Sequence, residues 1–420
     1  MKAECLVDSL TGQEVEAEEA KQGRIEFNFP LLTVRTQMFS GVFDRLGALR
    51  ASRLVSWVAL IIVPVVAGIG LYLLCSSLFT LLWTPVAREA SRELGPAAYL
   101  LLPGINPILP ILYGWLAIVC AIVVHEGAHG IIARNRGLKV NSSGLLFFLV
   151  IPVGAFVDVD EEQIAKAKSK DSLRIMAAGV AGNVAVALVC FLAVLLIVNG
   201  LTPVVSGLFI SEVTEGMPAE AAGLLPEDFI VSIDNVSFGS LDDLLMFFED
   251  KNSGDTVQVI VARGEKLDER FSTSVTLTVS EDERAVMGVI VGDMMFDERL
   301  TFYRTVTTET LTLYMVPPSL YPGLVPFSDS LSPFYTHGLG AQWHVYANIF
   351  FWLWFVNVNV AVLNALPIYP LDGGRMLNIT LKSVLGRRVS EKTISRITSA
   401  VTVTLIWLFL MIVLIPLIMQ

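Results

Sequence analysis

His125-Glu126-Gly127-Ala128-His129 stands near the downstream end of an apolar run that begins around Ile108. Two histidines one helical turn apart project from the same face, so both imidazoles reach one metal ion and the glutamate between them lies beside it. This is the donor arrangement of a zinc hydrolase. A Zn²⁺ with three protein ligands keeps a fourth position for water and lowers that water's pKa to about 7, while a neighbouring carboxylate takes up the proton. Glu126 is the candidate base. Five-residue patterns of this kind also arise by chance on helices whose histidines make only structural hydrogen bonds. The apolar surroundings decide between the two. An ionisable side chain at the centre of a membrane segment costs roughly 2.5 to 3.5 kcal/mol on insertion scales, so a cluster placed there marks a functional site.

The composition agrees with a membrane setting. Of 420 residues, 54% are hydrophobic and only 16% charged, and the mean hydropathy is +0.65. These are values of a polytopic α-helical membrane protein and exclude a simple soluble globule. Of the four cysteines, Cys75, Cys120 and Cys190 lie in apolar runs and Cys5 in a polar N-terminal tail, with no spacing suited to a disulfide framework or a thiolate zinc site. The first long apolar segment begins about fifty residues in and is too long for a signal peptide's core, so it is expected to remain as an anchor. The net charge of −11 is uneven, with twenty acidic residues against five basic ones between Glu212 and Glu298. A soluble acidic module therefore interrupts the membrane protein. No nucleic-acid partner is expected.

Residues 1–53 read as a cytosolic N-terminal segment, with one strand-like patch at Ile25 to Thr36 and Arg45, Arg50 and Arg53 ahead of the first span. Residues 54–206 form a first membrane part, with spans at about Leu54 to Leu82, from Ile108 through the two histidines, and at about Ile175 to Val198. Between the second and third spans, Gly144 to Val159 is apolar, short for a crossing, rich in strand formers, and ends in Asp158, Asp160, Glu161 and Glu162. It is expected to be a β-hairpin or re-entrant loop, since non-helical backbone at membrane depth needs protein or a water-filled cavity to satisfy its hydrogen bonds. The third span carries Gly179-Val180-Ala181-Gly182-Asn183, small residues that let helices approach closely, plus one amide. Asn183 suits either a helix-packing hydrogen bond or a role in binding substrate backbone.

Residues 207–292 alternate strands and a helix near Leu241 to Phe248. The phrases Ile210-Ser211-Glu212-Val213, Met217-Pro218-Ala219-Glu220, Ala222-Gly223-Leu224 and Asp228 to Asn235 resemble a PDZ domain, which binds extended peptides by strand addition. A Gly-Leu-Gly-Phe-type carboxylate loop is missing ahead of the first strand, and in a permuted module Gly288-Val289-Ile290 would supply that edge. The linker 293–343 contains a Pro- and aromatic-rich stretch, Tyr303 to Tyr335, read as an amphipathic segment on the membrane surface. Residues 344–420 form the second membrane part, with a span at about Val345 to Leu366, a short basic helix through Arg388 and a last span at about Ile397 to Leu417. The fold class is thus a polytopic α-helical membrane protein of five to six transmembrane helices with a small α/β PDZ-like domain inserted between the third and fourth spans. The sixth would come from Ala97 to Leu102 or Leu311 to Val325. The N-terminal arginines, the Arg134 to Arg174 group and the Arg375 to Arg396 group fall on one side of these spans, which the positive-inside rule makes the cytoplasm. The N-terminus and the metal motif then lie toward the cytoplasm, and the PDZ-like domain on the opposite side.

Two histidines need a third protein ligand, and Asp372 is the candidate by position and chemistry. It follows Pro367 and Pro370 at the inner end of a span, immediately before a Gly-Gly that lets backbone come close. The alternative is an N-cap aspartate for the helix beyond. HExxH on one span and Asn364-x-x-Pro367-x-x-x-x-Asp372-Gly373 on a later one resemble the site-2 protease family of intramembrane zinc metalloproteases, as do Gly154 to Asp158 and Gly179 to Asn183. The resemblance implies that His125, His129 and Asp372 bind zinc, that Glu126 is the catalytic base, and that Asn364 and Asn183, with Gly154 and Phe156 of the hairpin, hold the substrate strand. It further implies single-span membrane proteins as substrates, trimmed beforehand by another protease, in regulated intramembrane proteolysis in the lipid bilayer. The PDZ-like domain is then expected to filter or dock them. A prenyl-protein-processing zinc protease takes its third ligand from a glutamate, which fits these residues less well. A non-enzymatic scaffold would not need every expected catalytic residue.

Overall fold

A computed structural model describes residues 25–419, apart from 38, 150, 160–162, 164–166, 205–206, 239–240, 265–266, 281–283, 293–299, 301–302 and 322–323. The polar tail with Cys5, the acidic run Asp160 to Glu162, Lys166 and the first residues of the 293–343 linker lie outside the described residues. The elements run β1 (Ile25–Asn28), β2 (Leu31–Thr36), α1 (Ser40–Ala48), α2 (Arg50–Trp83), α3 (Pro85–Leu94), α4 (Ile111–Asn135), β3 (Val140–Phe148), β4 (Ile151–Val159) and α5 (Ser169–Asn199). Then come β5 (Thr202–Pro203), β6 (Leu208–Val213), α6 (Pro218–Ala221), β7 (Phe229–Ile233), α7 (Leu241–Glu249), β8 (Thr256–Arg263), β9 (Glu269–Thr276), β10 (Thr278–Val279), β11 (Ala285–Val286) and β12 (Val289–Gly292). The chain ends with α8 (Thr308–Tyr314), β13 (Tyr335–Thr336), α9 (Trp343–Ala365), α10 (Asp372–Leu385) and α11 (Glu391–Ile418).

Five helices, α2, α4, α5, α9 and α11, are long and apolar enough to cross a membrane. Their ends fall close to the expected ones, except that α5 starts at Ser169 rather than near Ile175 and α11 at Glu391 rather than near Ile397. The hydroxyl of Ser390 accepts the Thr393 N–H there, an N-cap that starts the helix ahead of its apolar part. Among the described residues, Ala97 to Leu102 holds only a short 3₁₀ turn, and Leu311 to Val325 only the end of the seven-residue α8.

Two compact units form: the described residues up to Val189 together with those from Leu353 onward, and Cys190–Trp352. In the first, Ala59 and Val63 of α2, Ala177, Val180 and Ala181 of α5, and Ala361 and Ala365 of α9 share one buried cluster. Small side chains along all three helices permit this close packing. The expected hairpin is present as β3 and β4, joined antiparallel from Val140↔Val159 to Phe148↔Ile151. The strand-like patch at Ile25 to Thr36 is two strands, β1 and β2. It is a second hairpin, and β2 pairs with β3 from Leu31↔Phe148 to Thr36↔Ser143, giving a four-stranded sheet in the order β1-β2-β3-β4. β4 is an edge strand, which is where Pro152 is tolerated, since proline has no N–H to give a neighbour.

In the second unit the sheet order is β12-β6-β7-β8-β9, over a core that includes Ile210, Leu224, Ile230, Val259 and Val275. Val289–Gly292 forms the edge strand beside β6, after Gly288 at φ +86°. In the aromatic stretch, Leu311, Met315 and Tyr321 are exposed, while other side chains turn inward. Tyr303, Tyr314, Phe327 and Tyr335 are at most 4% exposed, and Phe334 packs on Phe209 and Phe229. Aromatics interleaved with prolines fit an interior as well as an interface, and here the interior takes them.

Asp228, 1% exposed, accepts hydrogen bonds from Arg263 Nε and Nη2 at 2.7 Å each and from the Leu225 N–H at 2.9 Å. Removing one partner of such a pair strands a buried charge. Arg263→Ala is expected to destabilise this unit by about 3–5 kcal/mol, read as faster hydrogen exchange of the amides of β7 in the full-length protein. Unchanged protection there would contradict that role.

Candidate metal centre

His125 and His129, one turn apart on α4, are both buried, with their Nε2 atoms 3.3 Å apart. Asp372, the first residue of α10, brings Oδ2 to 3.1 Å from His125 Nε2 and 3.2 Å from His129 Nε2. Leu371 occupies the N-cap position and Asp372 makes no capping bond, so the capping alternative is not how this carboxylate is used. Donor atoms shared by a tetrahedral ion at about 2.0–2.1 Å lie roughly 3.3 Å from one another, which the near-equilateral triangle of these three atoms matches. Among the described residues it is the one group of three or more metal donors gathered this closely.

The surrounding residues fit a bound ion as well. His129 Nδ1 lies 2.7 Å from the Ile175 carbonyl, which can only accept, so Nδ1 carries the proton and Nε2 presents its lone pair to the triangle. Gly179 of α5 faces both rings. A Cβ there would stand 2.5 Å from His129 Nε2 and 2.7 Å from His125 Nε2, in space that an ion on these nitrogens needs. His125 Nδ1 has no hydrogen-bond partner among the described residues. Its ring is held instead by packing and by Asp372.

Asp372 reaches this depth because α9 stops at Ala365 and the chain turns through Pro367 and Pro370 before α10 begins. The Thr402 hydroxyl accepts the Tyr369 N–H at 3.0 Å, and Arg375 Nε donates to the Pro370 carbonyl at 2.9 Å, so the turn is fixed from both sides. A Cβ on Gly373 would run into the Ala365 and Leu366 carbonyls, and one on Gly374 into the Ile368 and Tyr369 backbone. Both glycines are needed for α10 to start against the turn.

Glu126 opens onto a cavity of about 1000 Å³ that is shared with the three donors and with Asn364, Val157 and Val159. The N–H of Val157, on the edge strand β4, donates to Glu126 Oε2 at 3.4 Å. The other expected substrate-binding residues are placed differently. Asn183 is fully buried and donates to the Ala121 carbonyl at 3.2 Å, the helix-packing use of an amide, and does not line the cavity. The Phe156 ring covers Gly144 and lies 5.2 Å beneath the Arg35 guanidinium. In an antiparallel strand, alternate side chains leave by opposite faces, so Val157 and not Phe156 lies on the cavity side. Gly154 is in a separate small cleft with Val119, Ile122 and Pro152. The Ile175 carbonyl, the Gly179 clearance and the Val157 amide were not read from sequence. Gly179 carried a signal, but small-residue packing explained it equally well.

Peptidase family M50 matches residues 113–409, from the start of α4 into α11. The chain belongs to this family. Members are the site-2 proteases, and membership makes the protein a multi-pass membrane zinc metalloprotease. An uncharacterized protein of Methanocaldococcus jannaschii is 24% identical over 350 residues, 82% of this chain and 76% of that one. Zinc metalloprotease RasP of Oceanobacillus iheyensis is 24% identical over 288 residues, 63% of this chain and 65% of its own. Among solved structures, the PDZ domain of an SdrC-like protein from Listeria monocytogenes covers 21% of this chain and 90% of its own, at 26% identity and a TM-score of 0.19.

If Gly179 provides the clearance for the ion, Gly179→Ala is expected to lower zinc content from about one per chain, the stoichiometry of a single three-ligand catalytic site, to none measurable. The variant should still elute as the parent does in detergent. Full zinc in this variant would place the ion elsewhere.

Proposed function

We propose that this family member cuts peptide bonds in or near the transmembrane segments of single-span membrane proteins, using His125, His129 and Asp372 as zinc ligands and Glu126 as the general base. The observation that carries the proposal is the convergence of three donor atoms and one carboxylate on a single cavity, beneath the free edge of β4. When bound, zinc supplies a Lewis acid for the scissile carbonyl and for the attacking water.

The chain's own residues provide the remainder. Glu126 takes the proton of the attacking water on a carboxylate oxygen and returns it to the leaving amine nitrogen. The Val157 N–H holds that carboxylate at the cavity. A peptide bond within a substrate helix is shielded, so the segment must unwind, and its freed N–H and C=O groups need partners away from bulk water. The outer edge of β4 offers such groups beside Glu126, and Asn364, which lines the same cavity and donates to the Val360 carbonyl at 3.0 Å, keeps its amide oxygen for a substrate N–H. His129 lies within two turns of the end of α4 and His125 within three, and the arginines flanking the spans support a cytoplasmic location for that end. Substrates of this arrangement are trimmed on the far side by another protease before they enter. The PDZ-like module, residues 207–292, screens them there.

Two measurements check these assignments. Glu126→Gln is expected to keep its zinc and to lose about 10²–10⁴-fold in kcat on a single-span test substrate. Retained cleavage would remove Glu126 as the base. Removing residues 207–292 is expected to bring the cleavage rates of trimmed and full-length substrate to equality. A persisting preference for the trimmed form would show that the screen lies elsewhere.

A further inference from the structure

The wall of the cavity away from β4 is built by α10 and α11. Arg375, Asn378 and Lys382 line it from α10, and Lys392, Ser395 and Ser399 from α11. On α10, Asp372, Arg375, Asn378, Ile379 and Lys382 recur at three- and four-residue intervals, so one helical face leads from the metal ligand outward. The inner end of the cavity is acidic, with Glu126 and Asp372, while the outer part carries three cations against Glu391. Glu391 is 84% exposed and reaches Lys382 across 3.4 Å. An exposed pair of this kind is weak and exchanges readily. Lys392 has no ion-pair partner among the described residues.

We propose that Lys382 and Lys392 form a subsite for a carboxylate of the substrate, an Asp or Glu side chain four to five residues from the scissile bond. The assignment rests on the proteolytic function proposed above. The distance follows from helix geometry. Lys382 lies ten residues along α10 from Asp372, about 15 Å at 1.5 Å per residue, and an extended chain covers that in four to five residues at about 3.3 Å each. The acidic side chain displaces Glu391 from Lys382 and takes up the second ammonium of Lys392. Arg375 stays on the Pro370 carbonyl, one turn from Asp372, and holds the ligand-bearing turn. Cations along a cavity between low-dielectric walls focus their field on a segment threading it, which favours an acidic flank over a neutral one.

The test uses the full-length zinc-loaded protein in detergent and a set of single-span substrates in which one Asp or one Asn is moved through the six positions on each side of the scissile bond. Asp at four or five residues on one flank is expected to lower KM about fivefold relative to Asn, with kcat unchanged. The gain should vanish at about 0.5 M salt, where the Debye length is a few ångströms. It should be lost in the Lys382→Gln, Lys392→Gln double variant. Glu391→Gln, which frees Lys382, should enlarge it. Cleavage that proceeds with no Asp position altering KM by more than about twofold, or a preference that survives the double variant, would overturn the subsite and leave the protease standing. No cleavage of any substrate by zinc-loaded protein would remove the proteolytic function and the subsite with it.

Discussion

Two imidazoles and a carboxylate within about 3.3 Å of one another, set among helices that are otherwise apolar, govern how this chain can fold. Such groups are costly at membrane depth unless they serve one another or a shared ion. The three come from α4 and from the first residue of α10, more than two hundred residues apart in sequence. Helix packing in the first unit therefore has to be accurate enough to bring their side-chain atoms together.

Absent side chains secure that accuracy. Gly179 leaves the space beside both histidine rings empty, Gly182 lets α5 come within contact of Ala128, and Gly373 and Gly374 allow α10 to begin against the carbonyls that end α9. A methyl group at Gly179 would press on the donors themselves, one at Gly182 on the Ala128 side chain, and one at Gly373 or Gly374 on backbone. The polar groups around the centre are then satisfied locally. The Ile175 carbonyl accepts from His129 Nδ1–H, the Thr402 hydroxyl accepts the Tyr369 N–H, and Asn183 ties α5 to α4 by donating to the Ala121 carbonyl. The four-stranded sheet sets its edge strand β4 next to Glu126, with the Val157 N–H on the carboxylate.

The grouping of His125, His129 and Asp372 was legible in the sequence because their spacing is physical. Histidines four apart on a helix share a face, and an aspartate behind two prolines at a span's inner end returns to the same depth. The spans themselves followed from length and hydropathy. The pairing of β2 with β3 was not legible, since it joins Leu31–Thr36 to a strand a hundred residues on and local composition does not name a distant partner. The inward packing of Tyr303, Tyr314, Phe327 and Tyr335 was not legible for a related reason: aromatic and proline content is the same for an interface and an interior. Phe156 and Asn183 were drawn toward substrate by motif likeness, whereas the strand's alternation and one helix-packing hydrogen bond direct them elsewhere. The basic face of α10 was read only as flanking charge, because its alignment with Asp372 depends on where the cavity lies.

All of these features bear on one claim, that His125, His129 and Asp372 together hold a single zinc ion beside Glu126. Crystals of the zinc-loaded protein, measured on both sides of the zinc absorption edge, test it directly. The account predicts one strong anomalous peak within bonding distance of His125 Nε2, His129 Nε2 and Asp372 Oδ2. A principal peak at any other set of side chains, or none in protein that cleaves its substrate, would contradict it.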